Sequence, residues 1–293
     1  MAKETSSGWP VALVALGSAL WGTDSALRKP LTTVMSSPII VLYEHLILSL
    51  IAIPTVIAAR RELRAWKWRH WLAVIGIAWG GSALATVFFT EALSRGNPNT
   101  AVLLQKAQPI FTFLLAGPLL GERLRRSHWG YLALAVAGGY LVSFGPTGLG
   151  IQRWELTAAL FALGASALWG CSTVLGRFLS PQSSFFTITA MRFLVALPAL
   201  LLIASRQTFV LPSANQSIRL VAMAFIPGLA ALLLYYRGLR ETPAAVAAIA
   251  ELCFPLTAVL LNLTFLHQRP AALQLLGFAL IWFAVWRIQR TRL

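Results

Sequence analysis

Long apolar runs separated by short polar connections follow one another along the whole chain. Examples are VALVALGSALWG, IIVLYEHLILSLIAIPTVIAA and AALLLYY, and the connections are rich in Gly, Pro, Asn and Ser. A helix crosses the roughly 30 Å core of a bilayer with about 20 such residues. The pattern predicts ten membrane spans, numbered 1 to 10, at roughly 10–28, 39–59, 71–91, 99–119, 129–145, 155–175, 185–204, 218–236, 244–265 and 271–288.

One segment of this pattern occurs twice. Residues 18–31 read SALWGTDSALRKPL and residues 166–179 read SALWGCSTVLGRFL, so that seven of fourteen positions match at an offset of 148. At the same offset Glu44 of span 2 falls opposite Arg192 of span 7. At an offset of 146, the segments around spans 4 and 5 match those around spans 9 and 10. Matches that follow one another in the same order indicate an internal duplication.

The duplication predicts two repeats of five spans each, residues 1–146 and residues 147–293. Because five is an odd number, the second repeat enters the membrane from the opposite side. Many secondary transporters have this inverted-topology architecture, with the substrate site near the midplane between the repeats. Most Lys and Arg residues fall on the side that would hold both termini, which predicts that the termini are cytoplasmic.

The composition indicates a polytopic, all-α membrane protein and limits its partners. The chain is 58% hydrophobic and only 11% charged, whereas a soluble domain has about a quarter charged residues. Its formal net charge of +15 comes from short clusters such as RRELRAWKWRH, which the positive-inside rule explains. We therefore expect the lipid bilayer and a small-molecule substrate as partners, and no nucleic acid.

The sequence contains none of the common motifs for catalysis or nucleotide-driven transport. There is no G-x-x-x-x-G-K-[ST], no G-x-S-x-G and no H-E-x-x-H. The four histidines are scattered without metal-ligand spacing, and Cys171 and Cys253 lie in apolar runs, as small hydrophobic side chains do. We expect no enzyme activity, no metal and no cofactor.

Polar side chains inside the predicted spans are candidates for function, because each is costly in the bilayer. These candidates for the substrate pathway are Glu44, His45, Gln105, Lys106, Gln108, Arg192 and Glu251. Similar depths predict two ion pairs, Glu44–Lys106 and Arg192–Glu251. Two interpretations stay open: the pairs are gates or receptors for a zwitterionic substrate, or they are structural pairs that orient helices.

Three further features are assigned to the pathway or to energy coupling. Trp21 and Trp169 are repeat-related and fall near the midplane, and Trp79 of span 3 is a weaker candidate of the same kind. Prolines in mid-span break backbone hydrogen bonds, and this places Pro109 and Pro255 beside a central cavity. Asp24 either pairs locally with Arg28 at i,i+4 or takes part in coupling.

Several of these stretches together resemble a known family. The ALWG-type first span, MRFLVALP in span 7, QKAQPIFTFLLAG in span 4 and the following LLGERLRRSHWGYLALAVAGGYLV resemble the EamA repeat of the drug/metabolite transporter superfamily. The resemblance covers both repeats, and its most specific piece is GERL at Gly121–Leu124. Span 2 departs from the family pattern, with Tyr43–Glu44–His45 where the repeat often has an arginine.

The resemblance implies a ten-span carrier of the bacterial inner membrane that exports small metabolites by alternating access. The chain looks most like the amino-acid exporters, in particular the YddG-type exporters of aromatic amino acids, which would place Trp21 and Trp169 in the cavity. The alternatives are export of other metabolites or drugs, and a channel-like or lipid-handling membrane component. Proton antiport and facilitated diffusion both stay open, and no oligomeric state is predicted.

Overall fold

Helices make up the described part of the chain. The computed structural model describes residues 9–95, 101, 104–122, 125–144, 156–254, 257 and 271–289, and no strand occurs among them. Helices long and apolar enough to cross a bilayer are Trp9–Thr33, Ser37–Ala58, Trp68–Arg95, Leu156–Leu179, Phe185–Ala204 and Ala214–Leu239. These helices coincide with predicted spans 1, 2, 3, 6, 7 and 8, and the prediction of an all-α membrane protein is confirmed.

The other predicted spans correspond to shorter or less apolar helices. Span 4 overlaps the helix Gln108–Leu120, span 5 overlaps Arg126–Phe144, span 9 overlaps Ala244–Ala250 and span 10 overlaps Ala272–Gln289. The number of ten membrane crossings stays a prediction.

Spans 3 and 8 each contain a wider π-helical segment. In span 3 it is Gly76–Leu84, and in span 8 it is Ala224–Ala230. Gly76 and Ala224 are separated by the repeat offset of 148, so both repeats carry the irregularity at the same place. π-Helical turns disturb the regular backbone hydrogen bonding and occur frequently at functional sites.

Spans 4 and 9 are interrupted helices. In span 4, Lys106 and Ala107 form a turn immediately before the helix Gln108–Leu120. Pro109 lies in the first turn of that helix, where the missing N–H of a proline is not needed. In span 9, the helix Ala244–Ala250 gives way to a 3-10 turn at Glu251–Cys253. Pro255, which was predicted to break span 9, lies outside the described residues.

The serine of each SALWG segment bonds to the interrupted span of the other repeat. The Ser18 hydroxyl in span 1 donates a hydrogen bond to the carbonyl of Glu251. The Ser166 hydroxyl in span 6 donates to the carbonyl of Leu104, 3.3 Å away. Each carbonyl also accepts a backbone hydrogen bond within its own turn, Leu104 from Ala107 and Glu251 from Phe254. The two serines therefore supply equivalent contacts in the two repeats.

The glycine of each SALWG segment allows the close approach that these hydrogen bonds require. A Cβ atom on Gly170 would lie 2.9 Å from the carbonyl oxygen of Gln108 and 2.8 Å from Cβ of Phe111. A Cβ atom on Gly22 would meet the carbonyl oxygen of Phe254. The shared spacing of serine and glycine thus serves the same packing contact in both repeats.

The directions of the packed spans agree with inverted repeats. Gly17 packs against Ala231 while Gly238 packs against Pro10, so spans 1 and 8 run antiparallel. Span 6 packs against span 3 in the same antiparallel way. Because the chain reverses direction between spans 1 and 2 and again between spans 2 and 3, spans 1 and 3 run the same way, and span 6 runs opposite to both. The sidedness of the repeats and of the termini stays a prediction.

Two glutamates outside the spans hold the first turns of other helices. Glu122, the acid of GERL, accepts hydrogen bonds from the backbone N–H groups of Ala244 (2.7 Å) and Ala245 (3.1 Å) at the start of span 9. Burial raises the pKa of the Glu122 carboxyl, although these two N–H groups act in the opposite direction. Glu62 accepts from the backbone N–H of Ser184, 2.9 Å away, at the start of span 7.

The packing of Gly170 predicts that Gly170→Ala lowers the thermal stability of the purified protein. The added methyl group overlaps the backbone of span 4, and overpacking of this kind costs about 1–3 kcal/mol. The matched control is Gly130→Ala, because nothing lies within 4 Å of a Cβ atom at that helical position. Thermal unfolding in detergent should show a lower Tm for Gly170→Ala than for Gly130→Ala. Equal Tm values would contradict the account of this interface.

Candidate functional site

A cavity lies where the two repeats meet. Spans 1 to 4 of the first repeat and spans 6 to 9 of the second contribute to its wall. Its space measures about 950 Å³ when the part that is open to solvent is included. Eight of the residues predicted from the sequence lie in the wall: Trp21, Asp24, Glu44, His45, Gln105, Gln108, Trp169 and Arg192.

Two equivalent aromatic pairs lie in the wall of the cavity. The rings of Trp21 and Tyr235 have centroids 5.0 Å apart, and those of Trp169 and Phe89 are 5.4 Å apart. Trp21 and Trp169 differ by 148 residues and Phe89 and Tyr235 by 146, so each pair joins one repeat to the other. The Trp169 indole N–H also donates to the carbonyl of Gly81 in the π-helical segment of span 3, 2.8 Å away.

Arg28 is the centre of a buried acid–arginine cluster in the first repeat, which also contains Asp24 and Glu44. Its guanidinium forms a bidentate ion pair with Asp24, with two N–O distances of 2.7 Å. Nη2 also lies 2.8 Å from Oε2 of Glu44. The predicted i,i+4 contact between Asp24 and Arg28 is therefore present. Its burial was not predicted: Arg28 is only 2% exposed, although the sequence places it at the end of span 1.

The equivalent place in the second repeat has a different charge distribution. Arg192 stands where the first repeat has Glu44, and Ser172 stands where it has Asp24. The Arg192 guanidinium donates to the hydroxyls of Ser82 (2.8 Å), Tyr236 (3.0 Å) and Ser172 (3.3 Å), and to the carbonyl of Gly81 (3.1 Å). All four acceptors are neutral. The cavity wall therefore contains two arginines in different surroundings. The charge of Arg28 is neutralised by carboxylates, whereas Arg192 is held by uncharged groups.

The two predicted ion pairs are wrong. Glu44 pairs with Arg28 and not with Lys106, and no salt bridge joins Arg192 to Glu251 among the described residues. Those predictions were based on the similar depth of the paired residues in the membrane. Depth does not determine which faces of two helices are in contact. The inward position of Arg28, one turn after Asp24, supplies the nearer partner for Glu44.

Glu251 lies behind the wall of the cavity and is held by neutral donors. Its carboxylate accepts hydrogen bonds from the Tyr235 hydroxyl (2.6 Å), the Thr173 hydroxyl (3.2 Å) and the Gln108 side-chain amide. These three donors all line the cavity. Gln108 belongs to the first repeat, so this carboxylate joins the two interrupted spans at the repeat interface.

The remaining predicted residues have different locations. The His45 ring contacts the Val41 carbonyl through Nδ1 at 2.9 Å, and its buried Nε2 has no hydrogen-bond partner among the described residues. Lys106 is buried beside the cavity, where its ammonium donates to the carbonyl of Gly139. Trp79 does not reach the cavity: it is 50% exposed on the outer face, and its indole N–H donates to Val195.

Sequence reasoning missed several residues of the site. Phe89 and Tyr235 were not selected, although the offset of 146 that relates spans 4 and 9 also makes them equivalent aromatic positions. Gly81 contributes only a backbone carbonyl, made accessible by the π-helical segment, and no side-chain pattern signals such a contribution.

The architecture and the cavity define a class of protein, a multi-pass membrane transporter with its candidate site between two repeats. The family is shown by comparison with known sequences, because the model of the EamA-like transporter family matches residues 8–144 and again residues 156–289. The chain belongs to the EamA-like transporter family and is a multi-pass protein of the inner membrane.

Related proteins cover nearly the whole chain. The riboflavin transporter ImpX of Fusobacterium nucleatum is 31% identical over 263 residues, which cover 85% of this chain and 87% of the relative. The uncharacterized transporter YwfM of Bacillus subtilis is 26% identical over 270 residues, covering 92% of this chain and 89% of the relative. A crystal structure with 20% identity matches with a TM-score of 0.74 over 94% of each chain, which supports the fold.

The acid–arginine cluster predicts a strong asymmetry between single substitutions. Arg28→Met leaves two carboxylates buried without their cation, and breaking a buried ion pair in this way costs about 3–5 kcal/mol. Asp24→Asn should lower Tm much less, because Glu44 still pairs with Arg28. Tm values measured in the same detergent test this order.

The triple variant Asp24→Asn, Arg28→Met, Glu44→Gln serves as the control, because it removes all the charges of the cluster together. Its Tm should be higher than that of Arg28→Met alone. A triple variant less stable than Arg28→Met would contradict the assignment of the loss to unpaired charge.

Proposed function

We propose that this transporter carries small planar aromatic solutes across the inner membrane by alternating access. The observation that supports the proposal best is the presence of two equivalent aromatic pairs, Trp21–Tyr235 and Trp169–Phe89, in one cavity. Each pair is made by both repeats, so a ring bound against them would contact both repeats at once. Movement of one repeat relative to the other would then change the side from which the ring is accessible.

The polar groups of the cavity suit the edges of a planar ring rather than its faces. Gln105, Gln108, Ser82 and Thr173 line the wall together with the aromatic residues. Pockets for small molecules combine apolar and aromatic walls with a few polar groups that fix orientation. His45 also lies in the wall. A solute with a flat ring system and hydrogen-bonding groups along its edges satisfies both requirements.

Riboflavin is the first solute to test. Its ring system is planar and carries carbonyl and N–H groups along one edge, and its ribityl chain carries hydroxyls. A relative with 31% identity over 85% of this chain is a riboflavin transporter. The mixed aromatic and polar lining of the cavity is compatible with such a molecule.

Export of aromatic amino acids is the second candidate. It is supported by the opposite charges at repeat-equivalent positions, with Glu44 in one repeat and Arg192 in the other. An amino acid presents an ammonium group, a carboxylate and an aromatic ring, and these three groups match the acid–arginine cluster, Arg192 and the aromatic pairs. The competing solute is therefore tryptophan or phenylalanine.

Transport by purified protein in liposomes tests the proposal. We expect saturable counterflow of labelled riboflavin, tryptophan or phenylalanine that an excess of the same unlabelled compound inhibits. Trp21→Ala and Trp169→Ala should each lower kcat/KM at least about tenfold, which corresponds to the 1.4 kcal/mol expected from lost stacking and apolar contact. Both variants should do so to a similar extent, because the positions are equivalent.

Trp79→Ala is the matched control, because that tryptophan lies on the outer face of the protein. The kcat/KM of Trp79→Ala should stay within about twofold of the wild-type value. Flux that does not saturate would indicate a channel-like component instead, and lipid transfer without solute flux would indicate a lipid-handling role. An equal loss of transport in Trp79→Ala and Trp169→Ala would contradict the aromatic site.

A further inference from the structure

We propose that Arg192 binds an anionic group, a carboxylate or a phosphate monoester, on the aromatic solute. This inference rests on the proposed function. It adds that, among planar aromatic solutes, the carrier prefers those with an anionic group. The ring would lie against the aromatic pairs while the anionic group reaches the guanidinium in the cavity wall.

The first argument is the contrast between the two arginines of the cavity. Arg28 has two carboxylate partners, at 2.7 and 2.8 Å. Arg192 is also buried, at 8% exposure, but no carboxylate of the described residues forms a salt bridge with it. A buried charge inside a membrane protein is costly unless it has a partner. A bound anion would give Arg192 the partner that Arg28 has within the protein.

The second argument concerns the geometry of the guanidinium. An arginine has five N–H donors in a rigid plane. Four hydrogen bonds, to Ser82, Ser172, Tyr236 and the Gly81 carbonyl, use four of them. The fifth, on Nη2, has no acceptor among the described residues and is available to a ligand. The four bonds also fix the guanidinium plane, so binding would cost little side-chain ordering.

The third argument is the position of the nearby acids. Glu44 is already paired with Arg28, and Glu251 is held behind the wall by Tyr235, Thr173 and Gln108. Neither carboxylate reaches Arg192 within the range of an ion pair. Both acids are thus engaged elsewhere, and the remaining cation of the wall faces the space that the solute would occupy.

Matched ligand pairs that differ in one anionic group test the inference directly. Riboflavin and flavin mononucleotide differ by a phosphate, and tryptamine and tryptophan differ by a carboxylate. We expect the wild-type protein in lipid nanodiscs to bind the anionic member of at least one pair about tenfold more tightly. The phosphate pair and the carboxylate pair together show which anionic group is preferred.

Arg192→Gln removes the charge while keeping a side chain that donates hydrogen bonds. It should reduce the preference for the anionic member to less than about twofold, while the affinity for riboflavin or tryptamine changes by less than about threefold. A structural role alone would weaken both members of a pair equally. Arg192→Lys keeps the charge and should retain part of the preference for the anionic ligand. It is the variant to measure if Arg192→Gln does not fold.

Two results would overturn the inference: no preference for an anionic member in the wild-type protein, or the same preference in Arg192→Gln. The proposed function fails separately, if the wild-type protein binds none of the four aromatic ligands. Binding of riboflavin and tryptamine without any charge preference would therefore contradict the role of Arg192 and leave the aromatic site intact.

Discussion

The structure depends on how two interrupted helices are accommodated inside a bilayer. Backbone groups that lose their helical partners in spans 4 and 9 must bond within the protein, because the bilayer supplies no alternative. Within each interruption a backbone N–H bonds the carbonyl of Leu104 or Glu251, and Ser166 and Ser18 add a second hydrogen bond from the opposite repeat. The adjacent glycines allow the close approach. The interruptions therefore tie the repeats together and place polar backbone, tryptophans and the cavity at one interface.

The same interface explains why a symmetric architecture has an asymmetric site. The aromatic pairs keep the repeat symmetry, as equivalent positions contribute equivalent rings. The charges do not: Asp24, Arg28 and Glu44 neutralise one another in part in the first repeat, whereas Arg192 in the second is held by hydroxyls and a carbonyl. The symmetric rings thus suit the aromatic solute that we propose, and the asymmetric charges would give such a solute a defined orientation.

Much of this arrangement follows from the sequence, and the rest has identifiable causes. Hydrophobic run length predicted the membrane fold, and the repeat offset found Trp21, Trp169, Glu44 and Arg192. The predicted ion pairs were wrong because the depth of a residue in the membrane does not specify which side of its helix it lies on. Arg28 was therefore overlooked as the partner of Glu44. The π-helical segments left no sign in the hydrophobic pattern, and Trp79 resembled the cavity tryptophans in type but lies on the outer face.

The central claim is that equivalent parts of two inverted repeats form one site, and sided labelling tests it most directly. Arg95 and Glu241 are exposed, lie 146 residues apart and follow equivalent spans. Single cysteines at these positions, in a chain with Cys171 and Cys253 replaced by alanine, can be labelled with a membrane-impermeant maleimide in intact cells and in inverted vesicles. The account predicts that the two cysteines react from opposite sides of the membrane. Reaction of both from the same side would contradict the inversion.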